Sequence, residues 1–187
     1  MRSVRLGTIY AVCERRSVVP EAREDVLRAQ HEAVIEIARR SRATLPVRFG
    51  TLMSARDLAA WARQREDELR RALTEVRDHV QMTIRAIGEA VPSVRPPRAM
   101  SSGREYLESR RQMLVPRLPD AAQDVLQSVR PFVTRERIEA GQGGLLATVY
   151  HLVHKRRLAS YRRAVKRVPP DVIVSGPWPP FAFAPRF

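Results

Sequence analysis

The chain has 187 residues, enough for one substantial core or two small ones. Its formal net charge is +14, almost all of it arginine, and charged residues alternate with apolar ones at regular spacing, which excludes a disordered polyelectrolyte. Cys13 is the only cysteine, so no internal disulfide forms, and no apolar run reaches the ~20 residues that a membrane-spanning helix needs.

Residues Arg5 to Val12 read as a short strand. Pro20 suits a first helical turn and predicts a helix from there, with Glu21 and Glu24 favoured at its start and Arg39 and Arg40 at its end near Ser41. Val26, Ala29, Ala33, Ile37 and Ala38 give that helix one apolar face. Thr44 to Phe49 is predicted extended, because Pro46 biases Leu45 away from helix, and Gly50 breaks it. Ser54 and Asp57 form a partial capping box for one long helix to about Arg77. Its stripe is Leu58, Trp61, Ala62, Leu69, Ala72, Leu73 and Val76. Val80, Met82, Ile84 and Ala86 alternate with Gln81, Thr83 and Arg85, which is strand periodicity.

Pro92, Pro96, Pro97 and Gly103 mark a loop, followed by a helix from Gly103 to about Leu114 and another from Asp120 to Val129. Phe132 to Ile138 reads as a strand and Gly141 to Gly144 as a hairpin turn. Leu145 to Val153 is apolar on both faces, the mark of a central strand covered on both sides. Leu158, Tyr161, Val165 and Val168 give a helical stripe, and Val172 to Val174 a last strand. Gly176, Pro177, Pro179 and Pro180 are expected to take the chain out of the sheet as a stiff rod carrying Trp178, Phe181 and Phe183.

From Val80 onward the order is strand, helices, strand, strand, helix, strand. This predicts a ferredoxin-like, βαββαβ domain over residues 79–187, with extra helices and both helical layers on one face of a four-stranded antiparallel sheet. Residues 1–78 would form a separate, shortened α+β domain, so the fold class is α+β. The opening residues Met1 to Leu6 lack the continuous apolar stretch of a secretory signal, and the cytoplasm is the expected compartment.

No catalytic or metal-binding set is visible. Cys13 has no histidine near it in sequence. His151 and His154 are three apart, but on different predicted elements and without a third ligand. His31 reads as a histidine that ties its helix to the Leu45–Gly50 segment. Arg48 reads as an arginine that bonds backbone carbonyls or pairs with a carboxylate, or else as a partner contact. Gly141 to Gly144 lacks the lysine and serine of a phosphate loop. His154 to Arg167 is basic with no acid, and reads as a solvated helix face ahead of a phosphate-binding patch.

Four segments carry a resemblance. Gly176-Pro177-Trp178-Pro179-Pro180-Phe181-Ala182-Phe183 resembles the closing signature of the gas vesicle accessory proteins of the F and L type, where a tyrosine commonly stands at the position of Phe181. His31, the helical stretch after it and Leu45-Pro46-Val47-Arg48-Phe49-Gly50-Thr51 resemble the family's histidine, helix and LP-x-RFGT segment. Ser102-Gly103-Arg104-Glu105-Tyr106-Leu107 and Tyr150-His151-Leu152-Val153 lie between them in the family's order. The resemblance covers about Leu6 to Phe183.

It implies a modified ferredoxin-like C-terminal domain with extra helices. It also implies an N-terminal domain shortened by the strand-rich segment with which members usually begin. The implied role is a non-enzymatic assembly factor that binds the apolar shell subunit and other accessory proteins. It would be cytoplasmic and vesicle-associated, with no cofactor, metal or small-molecule substrate. The signature and partner-contact candidates are His31, Leu45, Pro46, Arg48, Phe49, Gly50, Gly103, Tyr106, Tyr150, Tyr161, Gly176, Pro177, Trp178, Pro179, Pro180 and Phe181. The competing expectation is a basic nucleic-acid-binding ferredoxin-like module, disfavoured because Tyr150 is the only aromatic on the predicted central strands.

Overall fold

A computed structural model describes residues 1–88 and 118–185. The expected loop at Pro92–Gly103 and the helix from Gly103 to Leu114 lie outside the described residues, as do Gly103 and Tyr106. The chain forms two compact units, Met1–Val80 with Trp178–Phe187, and Gln81–Pro177. The proline-aromatic tail, expected to close the C-terminal domain, thus groups with the first unit.

In the first unit, β1 (Arg2–Leu6) and β2 (Ile9–Cys13) pair antiparallel with Leu6 opposite Ile9. The single strand expected over Arg5–Val12 is therefore a hairpin. Gly7 makes the difference: its φ of +63° turns the chain in two residues, a geometry glycine adopts without penalty. Helix α1 (Glu24–Arg40) starts four residues after Pro20, so Pro20 does not open it, and it ends at an extended Ser41 as expected. Acidic and basic residues sit at its favoured ends, and Arg28 reaches back to Glu24. Its apolar face is only half covered; no residue of α1 is fully buried.

The Thr44–Phe49 segment joins no ladder. It ends in a tight turn in which Thr51 N donates to Arg48 O at 3.4 Å and Gly50 takes φ +79°. Positive φ at the third turn position is the type II pattern that asks for glycine. The long helix expected from Ser54 to Arg77 is two helices, α2 (Ala55–Gln64) and α3 (Glu66–Val76). Ser54 caps α2 as expected, its Oγ accepting from Asp57 N at 3.1 Å. The break falls at Arg65, where the four successive charges Arg65, Glu66, Asp67 and Glu68 interrupt the apolar stripe between Ala62 and Leu69. Arg65 grips Glu68 with Nε and Nη2, at 2.7 and 2.8 Å, and stands 5.6 Å over the Trp61 ring. Ala62, Leu69, Ala72 and Val76 are buried on the predicted face. Asp78 then reverses the chain at φ +58°, its N–H bonded to Arg42 O and its carboxylate held by the Arg42 guanidinium.

The second unit holds a four-stranded sheet in the order β4-β5-β3-β6, from β3 (His79–Ile87), β4 (Val133–Ala140), β5 (Leu145–His154) and β6 (Val172–Trp178). Strand β5 is interior and buried on both faces, as its sequence predicts. Strand β3 is interior too, so the alternation read in it does not mark a solvated side. Gln81 and Thr83 are buried with Met82 and Ile84, and Gln81 Nε2 donates to Thr83 Oγ1 at 3.2 Å. Strands β4 and β5 pair antiparallel across the expected Gly141–Gly144 turn. Helix α4 (Asp120–Val129) buries Ala122, Val125 and Val129, and α5 (Leu158–Ala164) buries Tyr161.

Candidate functional site

The tail does not leave the sheet at Gly176. Strand β6 continues through a cis Gly176–Pro177 bond to Trp178, with Gly176 at φ +117°. Nor is the tail a straight rod. Proline fixes φ but leaves ψ free, and Pro180 adopts φ −76°, ψ 59°. Phe181 N then donates to Pro179 O at 2.7 Å, an inverse γ-turn. Phe183 N donates to Pro180 O at 3.1 Å and closes a 3₁₀ turn over Phe181–Phe183. This coil buries Pro179, Pro180 and Phe183 and half-buries Trp178, while Phe181 stays 40% exposed.

What the coil packs on is His31. Its ring lies 5.9 Å from the Phe181 ring at 18° and 5.6 Å from the Trp178 ring at 54°. The sequence assigned His31 to the Leu45–Gly50 segment; the neighbouring Gln30 makes that link, its Nε2 donating to Val47 O at 3.5 Å. In that segment Pro46 is buried, Leu45 and Phe49 are half-buried, and Arg48 is exposed. The carboxylate partner expected for Arg48 is absent among the described residues; its carbonyl works instead, accepting from Thr51 Oγ1 at 2.8 Å. Val19 packs over Gly50, with Cγ1 3.2 Å from where a Cβ would sit, and Val19, Val47, Leu52 and Met53 are exposed around this turn. The result is an apolar surface around this turn, in the same unit as the exposed Phe181.

Tyr150 and Tyr161 belong to the other unit. Tyr150 is half-buried on β5, and its hydroxyl donates to Glu139 Oε2 at 3.2 Å; burial and that carboxylate raise its pKa. Tyr161 is 0% exposed, so it touches no partner. It ends a relay, buried at Tyr161 and His151 and exposed at Glu136, that the sequence reading missed. The Tyr161 hydroxyl lies 2.7 Å from His151 Nδ1, and His151 Nε2 lies 2.9 Å from Glu136 Oε2. A carboxylate only accepts, so Nε2 carries the proton and the neutral ring's Nδ1 accepts from Tyr161. Burial lowers the His151 pKa, against the opposing pull of Glu136, and burial raises that of Tyr161.

One signal for this relay was present. Folding the hairpin about Gly143–Gly144 sets Glu136 opposite His151, as observed. The approach of Tyr161 from α5 had no such signal. The order hydroxyl, imidazole, carboxylate is that of an activated nucleophile, but the hydroxyl is sealed from solvent. The arrangement therefore fixes α5 to the β4–β5 hairpin. Among the described residues no group of three or more His, Cys, Asp or Glu is placed to hold a metal ion. No described helix is long and apolar enough to cross a membrane.

The model of the family described as "Gas vesicle synthesis protein GvpL/GvpF" matches residues 1–185. The chain belongs to this family. Its role is thereby that of a gas vesicle accessory protein. Two solved structures share the fold of this GvpL/GvpF member. The gas vesicle protein GvpF from Microcystis aeruginosa superposes with a TM-score of 0.68 at 10% identity, over 98% of this chain and 88% of that one. GvpF from Anabaena sp. PCC7120 gives 0.66 at 11% identity, over 94% and 83%. At such identities these likenesses speak for the mixed α+β fold alone. No curated protein sequence matches the chain.

Proposed function

We propose that this GvpL/GvpF-family chain is a non-enzymatic assembly factor, cytoplasmic and vesicle-associated, that binds the apolar gas vesicle shell subunit or other accessory proteins. The observation that carries this reading is the coil of Trp178 to Phe183 folded onto His31 with Phe181 left exposed, together with the exposed Val47, Leu52 and Met53 in the same unit. Ordered aromatic and apolar side chains exposed in this way suit an apolar partner, because little conformational entropy remains to be lost on binding. Of the signature residues, Phe181 and the Leu45–Gly50 turn are the proposed contacts, and Trp178, Pro179 and Pro180 the support beneath them. The sealed Tyr161 hydroxyl supports the non-enzymatic reading, since the nucleophile's place in the best-placed acid–base relay meets no solvent.

We read Gln81–Pro177 as ferredoxin-like, with domains meeting near residue 78. The sheet order β4-β5-β3-β6, with α4 preceding β4 and α5 joining β5 to β6, supports this. The nucleic-acid reading gains no support from the sheet, where Tyr150 is half-buried and engaged with Glu139.

Co-expression with a shell subunit and pull-down tests the proposal. Phe181→Ala combined with Val47→Ser and Met53→Ser, all at exposed positions, should abolish capture while far-UV circular dichroism stays unchanged. Full capture by that triple variant would refute the surface, and no capture by the wild type of any vesicle protein would refute the role.

A further inference from the structure

We infer that the segment Lys155–Arg167 forms a cationic stripe that docks an acidic polypeptide segment of a partner protein. Lys155, Arg156, Arg162, Arg163, Lys166 and Arg167 are all exposed, and none makes an ion pair among the described residues. Arg162 and Arg163 stand on α5 next to the buried Tyr161, Lys155 and Arg156 in the 3₁₀ turn before it, and Lys166 and Arg167 just past its end. Arg157 stands apart, its guanidinium donating to Pro131 O at 2.8 Å.

The contrast with α1 is the argument. There, Glu24 pairs with Arg28 and Glu36 with Arg40, opposite charges four apart, with acids at the N-terminus and bases at the C-terminus. Around α5 the cations Lys155, Arg156, Arg157, Arg162, Arg163, Lys166 and Arg167 follow one another with no acid among them. Lys155, Arg156 and Arg157 lie at its N-terminal end, where the helix dipole disfavours them. Both choices cost the isolated fold, and both are relieved by an external anion.

The α-helical part of the stripe, Leu158–Ala164, is roughly 10 Å long at ~1.5 Å per residue. A patch that short accepts a single acidic chain. No exposed aromatic accompanies it to stack bases, since Tyr161 is buried. The partner being a protein rests on the function proposed above.

Fluorescence anisotropy of a labelled polyglutamate peptide against the full-length chain tests this. Arg156→Gln, Arg162→Gln and Lys166→Gln together should weaken binding about tenfold. Arg28→Gln, Arg39→Gln and Arg40→Gln remove the same charge from α1 and should leave it within about twofold. Equal weakening by both variants, or no binding by the wild type, would overturn the stripe. Tighter, stripe-dependent binding of duplex DNA or of phosphatidylserine vesicles would overturn the acidic-polypeptide assignment. Shell-subunit capture by the stripe variant, read alongside, separates this proposal from the aromatic surface. Capture retained while polyglutamate binding fails in the wild type sinks the stripe alone.

Discussion

His31 stacks on Phe181, with ring centroids 5.9 Å apart and planes within 18° of parallel. These residues are 150 positions apart in sequence, in the two segments that most resemble the gas vesicle accessory family. Stacking joins them into one structure in the first unit, with Trp178 completing the contact.

A double-mutant cycle measures that contact. His31→Ala and Phe181→Ala should each destabilise the fold in urea titration. Their combined cost should fall short of the sum by about 0.5–1.5 kcal/mol, the range for an aromatic pair. Strict additivity would mean that the rings are neighbours without being partners.

Gly50 is held at φ +79°, and a Cβ there would press on Val19 at 3.2 Å. Gly50→Ala should cost about 1–2 kcal/mol from backbone strain alone. Val19→Ala in the same chain relieves the side-chain clash and not the strain, so most of the loss should persist in the double variant.

At the β4–β5 turn the obstacle is backbone. A Cβ on Gly141 would lie 2.0 Å from Leu145 O, an atom no rotamer can move. Gly141→Ala should lower stability by about 1–3 kcal/mol, the usual cost of overpacking, and broaden the amide spectrum of the hairpin. An unchanged denaturation midpoint would show that the turn has room to relax.

The Tyr161–His151–Glu136 relay predicts a pH dependence at each end. Below a pH of about 6.5 the unfolded chain protonates His151 before the folded one does, so stability falls with falling pH through that window. Protonation at Nδ1 would also leave the buried Tyr161 hydroxyl proton without its acceptor. Above a pH of about 10 the unfolded chain ionises Tyr161 first, and stability falls as pH rises. His151→Gln should flatten the acid limb whatever it does to overall stability, and Tyr161→Phe should flatten the alkaline one. Tyr161→Phe also strands a buried acceptor and should cost about 1–3 kcal/mol at neutral pH. Stability profiles that keep their slopes in these variants would place the titrating groups elsewhere.

Local chemistry wrote several elements plainly. The Ser54 cap, the end of α1 at Ser41, the hairpin turn at Gly141–Gly144 and the doubly buried β5 each depend on neighbours within a few residues. Errors came where local and distant preferences compete. A helix pattern ran past Arg65, because periodicity does not register that four successive charges allow a break. One apolar run read as a strand became two, because Gly7 permits a turn that the run itself does not announce. The tail read as a rod because proline fixes φ, while its coil depends on the ψ of Pro180 and on the rings it packs against.

The sequence by itself determined the family, the mixed α+β class and the wealth of arginine, since these live in residue order and composition. Only the tertiary structure decided that His31 belongs with Phe181, that Tyr161 is sealed inside against His151, and that Gln81 and Thr83 are core. The reason is range. Caps, turns and periodicities are fixed by energies between residues a few positions apart. Burial and ring contacts are fixed by which distant segments the chain brings together.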